Sequence, residues 1–194
     1  MPTKSDDTIL HNHNHDGVDR RGFLKCMAWA GTGAMFVMKG GILKSYSLSN
    51  PSKMGAGAAG GSELSFIQIS DSHMGFNKPA NPNVAATLQI AVDRINAAPA
   101  QPAFLLHTGD ISHLSKPSEF DTVNQVLKGA KVSQVFYVPG EHDVLGGDGK
   151  QYLDRYGKGT KGGGWYSFDV RGVHFIGLVN VLSLKPGSGL GTLG

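Results

Sequence analysis

One cysteine, Cys26, is all the thiol that the 194 residues contain. It stands near the N-terminus, so the rest of the chain can form no disulfide and offers no thiolate to a metal. Phe23-Leu24-Lys25 before it do not suit a lipoprotein cleavage site, and Cys26 reads as filler. Charge is also sparse, and past residue 60 neither sign is in excess. The first sixty residues carry seven of the 18 Lys/Arg and four of the 15 Asp/Glu, which leaves eleven of each for the remainder. The net charge of +3 therefore belongs to the N-terminal segment. A near-neutral remainder lacks the basic balance that neutralises phosphates, so no nucleic-acid partner is expected. Long apolar runs are missing too. The longest, Cys26 to Met38, has 13 residues, against about 18 or more for a membrane span.

That run is preceded by Asp19-Arg20-Arg21-Gly22-Phe23-Leu24-Lys25 and stops at Lys39-Gly40. Its length suits the apolar core of a secretory signal. The paired arginines followed by Phe-Leu-Lys resemble a twin-arginine translocation signal, with Asp19 where that pattern more often has Ser or Thr. Residues 1–60 are accordingly expected to be a signal and Gly/Ala-rich linker, with Ala56-Gly57-Ala58 as the candidate cleavage site. The expected partner is the twin-arginine translocation machinery, and the expected location is periplasmic or extracellular. Membrane contact is expected only through the signal segment; an uncleaved anchor is the alternative. His11, His13 and His15 alternate with asparagines and read as low complexity rather than as a metal site.

Residues 61–194 read as one α/β unit. Phe66–Ser70, Ala103–Thr108 and Gln134–Pro139 are rich in β-branched and aromatic residues and read as buried strands. Between the first two, Asn81-Pro82 looks like a helix start, with Val84, Leu88, Ala91, Val92 and Ile95 on one face. Between the second and third, a helix is expected from Ser115-Lys116-Pro117, with Phe120, Val123, Val126 and Leu127 inward and a stop at Gly129. Alternating strand and helix implies a parallel sheet. Gly164–Val170 and Val173–Val179 flank Arg171-Gly172 and read as an antiparallel hairpin. No Gly-Lys-Ser/Thr opens a helix near Gly146-Gly147-Asp148-Gly149, so a P-loop is excluded. The Gly-rich stretch from Leu182 to Gly194 reads as a chain that stops in mid-loop.

The chemistry lies where the strands run out. Asp71-Ser72-His73, Gly109-Asp110 and Gly140-Glu141-His142-Asp143 each follow an apolar strand. The carboxyl ends of parallel strands line one edge of a sheet, where ligands bind. If extended geometry continues past the first strand, Asp71 and His73 point the same way. Carboxylates and an imidazole gathered there, with no thiol in reach, suit Mn, Fe or Zn.

In this order and spacing the clusters resemble the calcineurin-like metallophosphoesterase superfamily, which carries Asp-x-His, Gly-Asp and Gly-Asn-His-Asp/Glu at strand ends. The resemblance covers roughly Ser65 to Val179. It implies the N-terminal portion of a four-layer α/β/β/α sandwich and a centre of two divalent or trivalent metal ions. Asp71 and His73 would bind the first metal, Asp110 would bridge both, and Glu141 would bind the second. His142 would be general acid or transition-state stabiliser, oriented by Asp143. The activity implied is hydrolysis of a small phosphomonoester or phosphodiester by a metal-bound hydroxide.

Two departures qualify the resemblance. Glu141 replaces a neutral Asn ligand; its charge should tighten metal binding while repelling incoming phosphate, so an altered metal preference is expected. The family also completes its site with later histidines, and here only His174 follows His142. His174 lies in strand sequence and reads as structural. With the second metal short of ligands, the chain reads as C-terminally truncated, and full activity is not expected. His107 reads as a core or supporting residue, His113 as a loop residue near the site, and Trp165 and Tyr166 as core. The alternative functions are a non-catalytic metal- or phosphate-binding protein and an inactive fragment.

Overall fold

Three short apolar runs become the parallel heart of a five-stranded sheet in the computed structural model, which describes residues 33–48, 64–99, 101–145 and 149–181. β3 (Leu64–Ile69), β4 (Leu105–His107) and β5 (Val135–Tyr137) pair in parallel, with Ile67 opposite Leu105 and Leu105 opposite Val135. β3 is covered on both faces, which is why its apolar residues Leu64, Phe66, Ile67 and Ile69 do not alternate. Parallel neighbours need a crossover, and the helices supply it. α1 (Val84–Asn96) connects β3 to β4, and α2 (Pro117–Leu127) connects β4 to β5.

The buried stripe of α1 is Val84, Leu88, Ala91, Val92 and Ile95, as the spacing predicts. Its start differs: Asn83 is the cap, its side chain accepting from the Ala86 amide, and Pro82 lies just outside. α2 begins on Pro117 and buries Phe120, Val123 and Leu127, with Val126 half-buried at the margin. A short α3 (Lys150–Tyr156) was not expected from its Gly-rich surroundings. The Tyr152 hydroxyl of α3 donates to the Tyr137 carbonyl at the end of β5.

The sheet extends further than the sequence suggests. β1 (Ala34–Lys39) and β2 (Ile42–Ser47) form a hairpin, and β1 pairs antiparallel with β3, giving the order β2-β1-β3-β4-β5. Gly40 and Gly41, both at positive φ, make the two-residue turn. Both strands lie upstream of residue 60, within the stretch that reads as a leader. Met35 and Val37 join the core on the helix side, and Phe36 and Met38 pack on the opposite face. Ala-Met-Phe-Val-Met is apolar at every position, so it satisfies a signal core and a two-sided strand equally well.

The other face of the sheet is covered by the predicted hairpin, β6 (Tyr166–Val170) and β7 (Val173–Gly177), which turns at Arg171-Gly172. Alternation sends Phe168 and Phe175 inward onto Phe66, Phe104 and Phe136. It sends Asp169 and His174 outward, where they pair at 2.9 Å. Trp165 is not core as expected: it is 42% exposed, beside the Lys161 ammonium. Tyr166 is half-buried and donates to the Tyr137 carbonyl. Helices, five-stranded sheet and two-stranded sheet are the three layers among the described residues. No helix among them is long and apolar enough to cross a membrane. The twin arginines, Cys26, His11, His13, His15, the 56–58 site, the glycines 146–147 and the tail from Leu182 lie outside the described residues.

Phe104 is the centre of the aromatic layer, 1% exposed and in ring contact with Phe66, Phe136, Phe168 and Phe175. Phe104→Ala is expected to cost about 3–5 kcal/mol, read as a lower urea midpoint. His174→Ala, on the exposed face, should stay within about 0.5 kcal/mol of wild type.

Candidate metal centre

The pairing of β3 with β4 continues into the loops beyond them. The amides of Asp71, His73 and Met74 donate to the carbonyls of Gly109, Asp110 and Ile111, and His113 donates back to Met74. Asp71, His73 and Asp110 all adopt positive φ, +58°, +40° and +49°. Such a conformation costs a residue with a side chain about 1–2 kcal/mol, and strain of this kind gathers at functional sites. Asp71 and His73 therefore do not meet by strand alternation. The strand has ended at Ile69, and left-handed turns swing both side chains to one point.

Two glycines let the loops cross. At Gly109, φ +112°, an added Cβ would lie 2.7 Å from the Gly140 nitrogen. One on Gly140 would run into the Asp110 carboxylate and amide. Both positions exclude a side chain because backbone passes against backbone.

Asp143 ties the crossing together. It is fully buried, and its carboxylate accepts from the amides of Ile111, Ser112 and Gly140 and from the Ser112 hydroxyl, at 2.8–3.0 Å. Burial pushes its carboxyl above the ordinary value, and these donors pull it back. The family resemblance implied a contact from Asp143 to the ring of His142. Instead Nδ1 of His142 donates to the His113 carbonyl at 2.6 Å, and Asp143 acts on the loops. Because a carbonyl only accepts, Nδ1 carries a hydrogen, and Nε2 is the nitrogen left for chemistry.

Around this frame the side chains converge. Nε2 of His73 lies 3.9 Å from Asp71 Oδ1 and 3.6 Å from Asp110 Oδ2. Two carboxylate-containing groupings bring potential ligand atoms within 4.8 Å of one another: Asp71 with His73 and Asp110, and Asp110 with Glu141 and His142. Bonds of about 2.1 Å place neighbouring ligands roughly 3–3.5 Å apart, so the two distances from His73 need to close only slightly for an ion to sit against it. The electrostatics fit as well. Burial, then the charge of Asp143, pushes the Asp110 carboxyl well above the ordinary range, and Asp71 and Glu141 add repulsion. Burial, then the neighbouring His142, lowers His73 to about 3, so it is neutral with a lone pair to give. A cation would relieve the first and use the second. The donor set of oxygens and imidazoles suits Mn, Fe or Zn.

All six expected site residues therefore lie at one sheet edge, with Asp143 beneath the others. Of the supporting residues, His107 and His113 stand where the sequence suggested, whereas Ser72 and Glu119 were not foreseen. Ser72 Oγ donates to the Ile111 carbonyl, so it accepts from Nε2 of His107, at 2.9 Å each. His107 is buried, with Nδ1 lacking a hydrogen-bond partner, and burial lowers it to about 3. Glu119, also buried, accepts from the amides of Leu114 and Lys116 and so shapes the loop carrying His113. Its place at the third position of a helix that opens on proline is a capping signal that could have revealed it. His113 packs its ring on His142, with centroids 5.0 Å apart. His174, on the outer face of β7, is not among these groups.

A family model described as calcineurin-like phosphoesterase matches residues 64–191. No curated protein shows a significant match to the chain.

Asp110 ionises near 3.8 when unfolded and higher when folded, so the folded chain binds more protons in the interval between. The stability it contributes is complete at low pH and is lost as pH rises through the folded value. In chelator, therefore, wild type should lose melting temperature relative to Asp110→Asn as pH rises from about 4. Added Mn or Zn should reverse the order, raising wild type by several degrees and the variant by less. Parallel melting curves in chelator would count against the assignment of Asp110.

Proposed function

The chain belongs to the calcineurin-like phosphoesterase family, hydrolases of phosphoesters, and from that premise we propose that it cleaves a small phosphoester with two cations that share Asp110. The carrying observation is that Asp110 is common to both carboxylate-containing groupings, one completed by Asp71 and His73, the other offering Glu141 to the second ion with the His142 imidazole beside it for proton transfer. Bound divalent or trivalent ions would supply Lewis acidity, activate a water and offset the phosphate's charge.

The chain's own residues supply position and a proton. Asp143 ties the loop after β4 to the loop after β5, so Asp110 and His142 face each other across a backbone contact: the His142 amide donates to Asp110 Oδ1 at 3.0 Å. The Nδ1–H of His142 is occupied by the His113 carbonyl, which fixes the ring plane. Nε2 then delivers a proton to the departing alkoxide and leaves a neutral imidazole still bonded through Nδ1. His73, held neutral, stays a ligand across the working pH range.

His142→Ala should therefore lower turnover of a phenyl or alkyl phosphoester by about 10²–10⁴-fold. Nitrophenyl esters, whose leaving group needs no proton, should suffer much less. Comparing nitrophenyl phosphate with its bis ester would separate monoesterase from diesterase action. Stoichiometric metal without turnover of either would instead support a metal- or phosphate-binding protein.

The proposed location is outside the cytoplasm by the twin-arginine route, supported by Arg20-Arg21 and the apolar run after them. Cleavage near residues 56–58 would remove β1 and β2 and bare the edge of β3. Replacing both arginines by lysine should hold the protein in the cytoplasmic fraction. Intact mass of the exported form should then show whether the β1–β2 hairpin leaves with the signal.

A further inference from the structure

Three imidazoles stand together beside the carboxylates. The ring of His113 is buried, lies nearly parallel to His142 at 17°, and meets His73 edge-on at 5.8 Å. His73 and His142 are edge-to-face at 4.7 Å. One nitrogen from each lies within 4.8 Å of the others, with no carboxylate in the set. The loop geometry holds them there. The His113 amide is bonded to Met74, its carbonyl to the ring of His142, and its ring to the edge of Phe76 at 5.2 Å. Glu119 clamps the loop that follows.

We infer that His73, His113 and His142 form a nitrogen-only subsite for a borderline cation such as zinc, filled at the expense of the carboxylate-rich sets. Three imidazoles with an open fourth position make a common zinc arrangement. Ligand softness separates it from its neighbours: imidazoles suit Zn, Cu and Ni, whereas carboxylates suit Mg and Mn. The exclusion follows from shared imidazoles, since a neutral imidazole has a single nitrogen lone pair to give. His73 also belongs to the set with Asp71 and Asp110, and His142 to the set with Asp110 and Glu141. A nitrogen lone pair serves one ion at a time. Zinc in the nitrogen subsite therefore draws His73 from the first set and occupies the His142 nitrogen proposed to deliver the proton. Excess zinc would then inhibit, a consequence that rests on the proposed function; the binding itself does not.

The test uses the full chain stripped by chelator. Zinc is titrated by mass spectrometry, its ligands are read by X-ray absorption, and manganese is followed by paramagnetic resonance. Wild type should bind zinc through nitrogen ligands. His113→Ala should weaken that binding roughly 100-fold, since even residues behind a ligand carry up to about that much. His113→Phe keeps a ring between Phe76 and His142 and keeps the carbonyl, so it guards against simple misfolding. It should lose zinc as the alanine variant does and still bind manganese. Zinc binding as tight in His113→Phe as in wild type would overturn the inference. So would loss of manganese together with zinc in that variant, because the carboxylate sets do not use His113. Absence of turnover with every metal would sink the proposed hydrolase alone and leave these binding results standing.

Discussion

The carboxylate of Asp143 reaches the loop after β4 and the loop after β5 at once, through Ile111, Ser112 and Gly140. On those two loops every residue with chemistry is next to one of its partners. Asp110 precedes Ile111, His113 follows Ser112, and Glu141 and His142 lie between Gly140 and Asp143. A buried carboxylate satisfied by several donors is stable only while all of them are present. Losing the carboxylate would strand four donors in the interior, so the arrangement is held all or none. The loop after β3 joins by a different bond type: the amides of Asp71, His73 and Met74 extend the sheet ladder onto the same segment. Three loops thus become one rigid edge.

That rigidity supports conformations and charges that would not persist alone. Three site residues sit at positive φ, each at a cost set by the contact of Cβ with the backbone. The carboxylates of Asp71, Asp110, Glu141 and Asp143 repel one another around Asp110. Strain and repulsion both oppose folding, and both turn to advantage with a cation present. The same logic explains the glycines: the backbones approach so closely that a methyl group at 109 would push into Gly140, and one at 140 into Asp110.

Much of this was legible without coordinates. The parallel strands, both crossover helices and the β6–β7 hairpin follow from local pattern, because burial on two faces, on one helical stripe or on one sheet face each leaves its own periodicity. That the six candidate residues gather at one sheet edge was legible because they fall at strand ends in fixed order. The β1–β2 hairpin was not, since an unbroken apolar run has no period to distinguish a strand from a signal core. Trp165 was misplaced in the core because an aromatic residue beside a strand carries no mark of which side it faces.

Sequence alone determined the family, the donor types and the order in which they meet the sheet edge, because residue identity and spacing along the chain suffice for those. Tertiary structure decided what each donor touches. That Asp143 ties loops while the His113 carbonyl holds His142, and that a third imidazole stands within reach of those of His73 and His142, depend on backbone atoms. Backbone carbonyls and amides are the same in every residue. Their positions follow only from how the strands pair and the loops cross, which no side-chain pattern records.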